Sequence, residues 1–478
     1  WFYTILHPRQ TAFNFWLTVV RWCLISLAAF IPVFFLPQSS YPIELNKTLL
    51  FADAVLFITA LYIFGMVRTK QPAWLRSRLW WPLGIWLILT VVSFAFSPNY
   101  YVSAVGSNGY FSAGLATTLC LAVFFYLIIH SVRSLADAAK LLIVLTVSLS
   151  AVILYNLFHI FGYNIPAGTI WEQVRFYVAS NSSASLGVVA GIGSMALLGW
   201  LVISRQLWQR ILAGLLALAA LALLYFLDKN PAWYAVLIAG AFIIGACLVR
   251  WRTVATWVFT VLILFSAMVL LGAVLDGDTL LDPEVSTSIL LDQGTSVAIA
   301  GGSMVSKPLT GYGPQSFTYA FQAERPVSFN TTDIWQSTFQ KSGSFWLEYI
   351  ATIGPIATAA LMVFMLWIGY AAIRTIIQSS ATDRTWYTQL FLFSLWLVVF
   401  AASWFMPFSF ILYFLWWLLT ALVARIMTPL FHLRYQKWSA SKRCRMATIS
   451  GLAIMSAAIA SGYFGIRIWL ADHAFWQA

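Results

Sequence analysis

A glycine-containing segment at 307–317 has residue types and a spacing that can bind a ligand. Gly311 and Gly313 flank Tyr312 and are followed by Pro314. Two glycines separated by one residue predict a tight turn with exposed backbone amides, and the proline can begin a short helix. Gly311, Tyr312 and Gly313 are therefore candidate substrate-binding residues. The alternative is a capped surface loop whose aromatic residues rest at a membrane interface.

Charged side chains near this turn form the second group of candidates. Lys307 precedes the turn, and Arg325 and Lys341 follow it, while Arg175 lies in another polar loop. Glu348 is the acid of most interest, because a carboxylate near hydrocarbon costs roughly 2–3 kcal/mol and normally faces a polar cavity. The alternatives are surface cations paired with neighbouring acids, and a glutamate that lies at the level of the lipid headgroups.

The composition of the chain indicates the setting in which these residues act. Of 478 residues, 61% are hydrophobic and only 9% are charged, whereas about a quarter of the residues in a soluble domain are charged. The 17% share of aromatic residues also excludes a disordered chain. We therefore predict an integral membrane protein.

Thirteen apolar stretches are long enough to be membrane helices, which need about 20 residues each. They are Phe13–Leu36, Lys47–Val67, Trp80–Phe96, Tyr110–Ile129, Leu141–Phe161, Ser183–Ile203, Ile211–Leu227, Ala232–Val249, Thr253–Leu275, Phe345–Ile368, Trp386–Met406, Phe408–Arg425 and Ala447–Leu470. The predicted fold class is all-α, a polytopic transmembrane bundle of about 12–13 spans with one long extracytoplasmic loop that carries short helices.

The long loop divides the chain into three parts. They are a bundle of spans one to nine (1–275), an extracytoplasmic loop with the candidate active site (276–345), and a C-terminal bundle of four spans (346–478). Within the loop, Phe317, Ala320 and Phe321 are spaced to give one apolar face that can rest on the membrane surface. Asp333 is a candidate N-cap of a second short helix.

Lys and Arg residues are distributed unevenly between the two sides of the predicted bundle. With the N-terminus in the cytoplasm, 20 of the 27 fall on the cytoplasmic side, in agreement with the positive-inside rule. They form short clusters between spans rather than a continuous basic face, which excludes nucleic acid as a partner. The four cysteines form no CxxC pattern, and HExxH, P-loop and GxSxG patterns are absent from the sequence. We therefore expect no metal, nucleotide or other cofactor.

The region from 307 to 354 carries a motif-level resemblance to a known family. A GxGP-x-x-F turn in a long outer loop is followed by a polar pair, a leucine and a glycine at the entrance to a span. This pattern resembles the O-antigen ligase and polymerase superfamily, with Ser344, Leu347 and Gly354 where its His-[Asn/Ser/Gln]-x-x-Leu-x6-Gly motif places them. The span count, the basic cytoplasmic loops and the long outer loop agree with that family's organisation.

The resemblance implies a reaction and roles for the candidate residues. A glycan on undecaprenyl pyrophosphate is transferred, without a metal, to a lipid, glycan or protein acceptor at the outer face of the bacterial cytoplasmic membrane. A cation must hold the pyrophosphate, a base must take the proton of the acceptor hydroxyl, and outer aromatic rings can stack on sugars. The candidate catalytic residues are Arg325, Lys341 and Glu348, and the candidate substrate-binding residues are Arg175, Lys307, Gly311, Tyr312, Gly313, Trp335 and Ser344.

The sequence departs from the family motif at its histidine, which falls on Gly343. Glycine can neither act as a base nor contact a donor. Another residue supplies the base, the step needs little base catalysis, or the protein binds its carrier without transfer. A transporter or flippase of lipid-linked glycans is a further alternative. The sequence shows no internal repeat, and Asp53 is the only acid well inside an early span, which favours an enzyme.

Overall fold

The computed structural model describes residues 8–35, 43–69, 73–106, 110–161, 182–227, 230–250, 253–276, 290–379, 383–427, 432–435 and 442–477. Its α-helices are α1 (Pro8–Val33), α2 (Glu44–Thr69), α3 (Trp80–Ala95), α4 (Tyr100–Ala104), α5 (Leu115–Ser131), α6 (Leu135–Ile160), α7 (Ser183–Ile203), α8 (Leu207–Leu227), α9 (Asn230–Val249), α10 (Thr253–Asp276), α11 (Gln293–Ser306), α12 (Phe317–Glu324), α13 (Phe345–Ile353), α14 (Pro355–Gln378), α15 (Asp383–Phe405), α16 (Phe410–Met427) and α17 (Lys442–Gln477).

The helices confirm the predicted all-α polytopic bundle. Ten of the described helices are long and apolar enough to cross a membrane, namely α1, α2, α6–α9 and α14–α17. Three shorter apolar helices, α3, α5 and the central part of α10, coincide with three further predicted spans. Twelve of the thirteen predicted spans thus each coincide with one continuous helix.

The predicted tenth span, Phe345–Ile368, is wrong because two helices occupy it. α13 ends at Gly354, whose φ of +87° is outside the helical region, and α14 begins at Pro355. Nine residues extend only about 14 Å, which is too short to cross a bilayer, whereas the 24 residues of α14 extend about 36 Å. The tenth span is therefore α14, and α13 is a separate short helix packed against α11 and α14.

The centre of the bundle is α16. Almost all of its side chains are buried, and it packs against α5, α14 and α15. Phe414 of α16 stacks on Phe124 of α5 with ring centroids 5.4 Å apart, and Phe51 of α2 meets both rings edge-on. In contrast, α17 packs along α2 and exposes most of its surface. α16 therefore joins the early and late spans into one core.

A short two-stranded sheet is an addition to the predicted all-helical fold. β1 (Ala73–Arg76) pairs antiparallel with β2 (His432–Tyr435). The pairing connects the segment between α2 and α3 with the segment between α16 and α17. Apolar periodicity predicts spans and does not reveal so short a pairing of two loops.

The segment between α10 and α14 has a small core of its own. It contains α11, α12, a 3-10 helix (Val327–Thr331) and α13, with Phe317 and Phe321 fully buried beside Phe329. The apolar face of α12 is therefore covered by its own segment, and the prediction that it rests on a membrane surface is wrong. No helix begins at Asp333, where the backbone forms a turn, so the predicted N-cap is also wrong.

Candidate functional site

A polar cavity of about 310 Å³ lies where the first turn of α2 meets the segment before α13. The start of α7 and the junction between α15 and α16 complete its wall. The lining residues are Glu44, Tyr110, Ser182, Ser185, Leu290, Leu291, Ser337, Thr338, Phe339, Gln340, Lys341, Pro407 and Ser409. Of the candidate site residues, Lys341 lines this cavity, together with residues that the sequence did not single out.

Lys341 is the cation of this cavity. Its Nζ lies 3.6 Å from Oε1 of Glu44 and donates a hydrogen bond of 2.8 Å to the carbonyl of Phe408. The ammonium also lies 4.4 Å from the centre of the Tyr110 ring, within the range of a cation–π contact. Because the side chain is only 13% exposed, its charge is weakly screened and acts strongly on a bound anion.

Glu44 is the acid that faces Lys341, and sequence reasoning missed it. It is the first residue of α2, it is 2% exposed, and both carboxylate oxygens lack a hydrogen-bond donor within the described residues. Its position favours a negative charge, because the N-terminus of a helix carries a partial positive charge. The sequence contained a signal for this residue. Glu44 stands just before the predicted second span, three residues ahead of Lys47, which places an acid at the end of a membrane helix.

Lys47 lies one turn further along α2 and is also buried. Its Nζ donates a hydrogen bond of 2.8 Å to the carbonyl of Pro32 near the end of α1. Only 1% of the residue is exposed. The α1–α2 junction therefore contributes two buried ionisable side chains, Glu44 and Lys47, to this end of the bundle.

Glu348 lies behind Lys341, on the first turn of α13, and does not line the cavity. Burial raises the pKa of its carboxyl to about 7, and the nearby Glu44 raises it further, while Lys341 and the backbone amide of Ser342 oppose the rise. Its Oε2 has no hydrogen-bond partner in the described part of the chain. The Glu348 carboxyl therefore holds its proton more tightly than an exposed glutamate does, and it interacts electrostatically with Lys341.

The aromatic residues behind Glu348 form a rigid apolar support. The Phe345 ring lies 4.2 Å from that of Tyr349 and 5.0 Å from that of Trp416 on α16. Burial also raises the pKa of Tyr349 far above its usual value, so this phenol stays protonated. These rings keep water away from Glu348 and fix α13 on the central helix.

The GxGP turn supports α13 instead of exposing its amides. The backbone amides of Tyr312 and Gly313 donate to the carbonyls of Ala351 and Thr352, at 3.0 and 2.7 Å. Gly311 and Gly313 have φ values of +62° and +101°, which glycine adopts without strain. The expectation of free amides is wrong, because these amides satisfy the last carbonyls of α13. The turn thus positions the helix that carries Glu348.

The neighbouring candidates Lys307 and Tyr312 interact with each other. The ammonium of Lys307 lies 4.3 Å from the centre of the Tyr312 ring. The Tyr312 hydroxyl donates to Oε1 of Glu324 at 2.7 Å, and the side chain is 8% exposed. Glu324 thus binds Tyr312 rather than Arg325. Neither Lys307 nor Tyr312 lines the cavity.

Arg325 also lies away from the cavity. Its Nη1 donates to the carbonyl of Trp335 at 3.2 Å, and its guanidinium lies about 6 Å from the rings of Phe321 and Phe329. Trp335 is 48% exposed and is likewise absent from the cavity wall. These contacts stabilise the segment between α10 and α14, so the geometry gives no support to a direct catalytic role for Arg325.

Gly343 and Ser344, at the family-motif positions, are buried. The Gly343 amide donates to Oγ of Ser296 at 2.8 Å, and its carbonyl accepts from Nε2 of Gln293 at 2.7 Å. A Cβ at position 343 would lie 2.4 Å from the carbonyl oxygen of Leu291. Ser344 is 2% exposed and donates to the carbonyl of Ser403. A histidine does not fit here, and Ser344 does not reach the cavity. Arg175 lies outside the described residues.

The fold and this cavity define the class of the molecule: a multi-pass membrane protein with an ionisable site at one end of its bundle. Comparison with protein-family models and with curated proteins finds no match to the chain. Buried ionisable residues are rare within the membrane-embedded part of such proteins and normally mark functional pathways, so the buried acids and the lysine mark this end of the bundle as a candidate site.

Proposed function

We propose that the chain is a membrane glycosyltransferase. It transfers a glycan from an undecaprenyl-pyrophosphate carrier to a lipid, glycan or protein acceptor at the outer face of the bacterial cytoplasmic membrane, with the N-terminus in the cytoplasm. The motif resemblance around 307–354 supports this class. The observation that carries the proposal is the Lys341–Glu44 pair on the wall of a partly open cavity of mixed polar and apolar lining.

Lys341 is the group that binds the pyrophosphate. Two phosphates carry negative charge that an ammonium in a partly dehydrated site attracts strongly. Binding of the donor competes with Glu44 for Lys341. Arg175, in another polar loop of the sequence, remains a predicted second cation for binding the pyrophosphate.

Glu44 is the general base. When the pyrophosphate engages Lys341, the Glu44 carboxylate lies beside the bound donor, where it can accept the proton of the acceptor hydroxyl. The acceptor oxygen attacks the anomeric carbon as Glu44 takes its proton, and the bond from that carbon to the pyrophosphate oxygen breaks. The leaving pyrophosphate keeps the electron pair and stays on its lipid. Glu348 acts through Lys341, and is a positioning residue.

A second function follows from Gly343. Because the backbone of Leu291 leaves no space for a side chain at the motif histidine, the chain is also compatible with a protein that binds the carrier without transfer. The two functions differ in turnover, whereas both require that Lys341 bind the pyrophosphate.

Purified protein in liposomes, supplied with undecaprenyl-pyrophosphate glycan and candidate acceptors, tests both functions. Product is analysed by mass, and donor affinity is measured separately. We expect transfer by the wild type and by Asp333→Asn, an exposed acid of the outer segment that serves as control. Glu44→Gln should bind donor and transfer poorly, and Lys341→Met should bind donor weakly. Donor binding without turnover by the wild type supports the second function, and absence of both contradicts both.

A further inference from the structure

A second cleft, of about 400 Å³, lies at the opposite end of the bundle from the candidate site. Both sites touch α7: Ser185 lines the first cavity, and Ile203 lines the cleft. Eighteen residues of α-helix separate these positions by about 27 Å, close to the roughly 30 Å hydrocarbon thickness of a bilayer. The cleft therefore lies at the level of the other leaflet.

Three helices build the apolar walls of the cleft. Ala139, Leu142 and Ile143 come from α6, Ala196 from α7, and Phe391 and Leu395 from α15. Residues spaced by three or four lie on one side of a helix, so α6 and α15 each present an apolar side to the cleft. The turn between α7 and α8 closes one end. An elongated apolar chain fits such walls.

Two arginines stand at the mouth of the cleft. Arg205 belongs to the α7–α8 turn and Arg384 to the first turn of α15, and both side chains are exposed. Within the described residues, neither guanidinium forms a hydrogen bond or an ion pair. Gln206 and Gln209 add amide donors beside them. Guanidinium groups match phosphate oxygens with two parallel hydrogen bonds.

We propose that this cleft binds an anionic phospholipid of the leaflet opposite the candidate site. The acyl chain lies between α6 and α15 on the surface of α7, and the phosphate lies at Arg205 and Arg384. The two arginines favour an anionic headgroup, because their charge is complementary to it. The apolar walls favour a lipid over a free anion, because only a lipid has an acyl chain to bury there. The site is independent of the glycan-transfer proposal, since it shares no lining residue with the first cavity.

Native mass spectrometry of the detergent-solubilised full chain tests the proposal with phosphatidylglycerol and phosphatidylcholine of identical acyl chains. We expect phosphatidylglycerol to bind more tightly. Basic residues near a membrane surface strengthen the binding of anionic lipids, so the Arg205→Gln/Arg384→Gln double variant should bind phosphatidylglycerol about tenfold more weakly or worse. Arg68→Gln, an exposed arginine at the end of α2 and outside the cleft wall, is the matched control and should bind like the wild type.

A second variant tests the apolar part without changing charge. Ala196→Phe places a ring between the walls and should reduce phosphatidylglycerol binding while both arginines remain. Thermal unfolding of each variant checks that the fold is retained. Equal affinity for both lipids, binding unchanged in the double variant, or binding unchanged in Ala196→Phe each overturns the proposal. Inorganic phosphate that displaces the lipid at equal concentration also overturns it, because the cleft then recognises a free anion.

Discussion

Glu348→Gln tests the electrostatic account of the candidate site through the pH dependence of stability. The folded-state pKa of about 7 lies above the ordinary value of 4.5, mainly because the carboxyl is buried. The folded protein therefore holds this proton at pH values where the unfolded chain has lost it, so the native state binds more protons. Stability from this group is fully present below about pH 4.5 and is lost as the pH rises towards about 7.

The size of the effect follows from the same two values. Moving from 4.5 to about 7 corresponds to about 3 kcal/mol, at 1.36 kcal/mol for each pH unit. The free energy of unfolding of the wild type should thus fall by about 3 kcal/mol between acidic and weakly basic pH from this residue alone. Glutamine has nearly the same shape and no proton to lose, so the variant lacks this contribution.

The assay is denaturant unfolding in detergent micelles, followed by tryptophan fluorescence over a series of pH values. Other acids titrate in the same range, so the informative quantity is the difference between wild type and Glu348→Gln at each pH. We expect that difference to change by about 3 kcal/mol across the series, while Asp333→Asn parallels the wild type. A difference that stays constant with pH would refute the burial of an ionisable Glu348.

Substitutions at three further positions test the surroundings of Glu348. Lys341→Met removes the cation that lowers the pKa of Glu348, so the stability loss should extend to pH values above about 7 in the same unfolding series. Gly343→Ala places a Cβ 2.4 Å from a backbone carbonyl and should lower the free energy of unfolding by about 1–3 kcal/mol. Gly343→His should lower it more without increasing transfer, and a histidine variant as stable as the wild type contradicts this packing. Gly313→Ala combines a φ of +101° with a close contact to Ser97, so thermal unfolding should show a loss of at least about 1 kcal/mol, and an unchanged midpoint argues against the turn.

The membrane helices were predictable because lipid requires long apolar segments with internally satisfied backbones. The break at Gly354 was missed because both flanking segments are apolar, so hydropathy is continuous across it. The Gly354–Pro355 pair was the available signal, since a glycine can end a helix and a proline can begin one.

The candidate site was only partly predictable. Lys341 and Glu348 stood out as charges at the start of an apolar segment, and the structure brings their charges into interaction. Their partner Glu44 lies in a distant part of the chain, and hydropathy does not specify which span ends meet. The amides of the GxGP turn looked free because their acceptors, the carbonyls of α13, exist only once that helix ends at Gly354.

Arg325 is a second case in which the sequence did not predict the contacts of a charged side chain. An arginine in a polar loop of a membrane protein is a reasonable candidate for phosphate binding. Its contacts with Trp335, Phe321 and Phe329 depend on how the segment between α10 and α14 folds around its own aromatic core. Spacing along the sequence does not distinguish a guanidinium that faces a cavity from one that packs on phenylalanine rings.

Transfer by Glu44→Gln is the most direct test of glycan transfer with Glu44 as the base. In liposomes with undecaprenyl-pyrophosphate glycan and acceptor, the wild type and Asp333→Asn should form product. Glu44→Gln should retain donor binding, and its transfer rate should fall by a factor of about 100 or more, because general-base catalysis contributes about 10²–10⁴-fold. Transfer by Glu44→Gln at the wild-type rate would contradict Glu44 as the base.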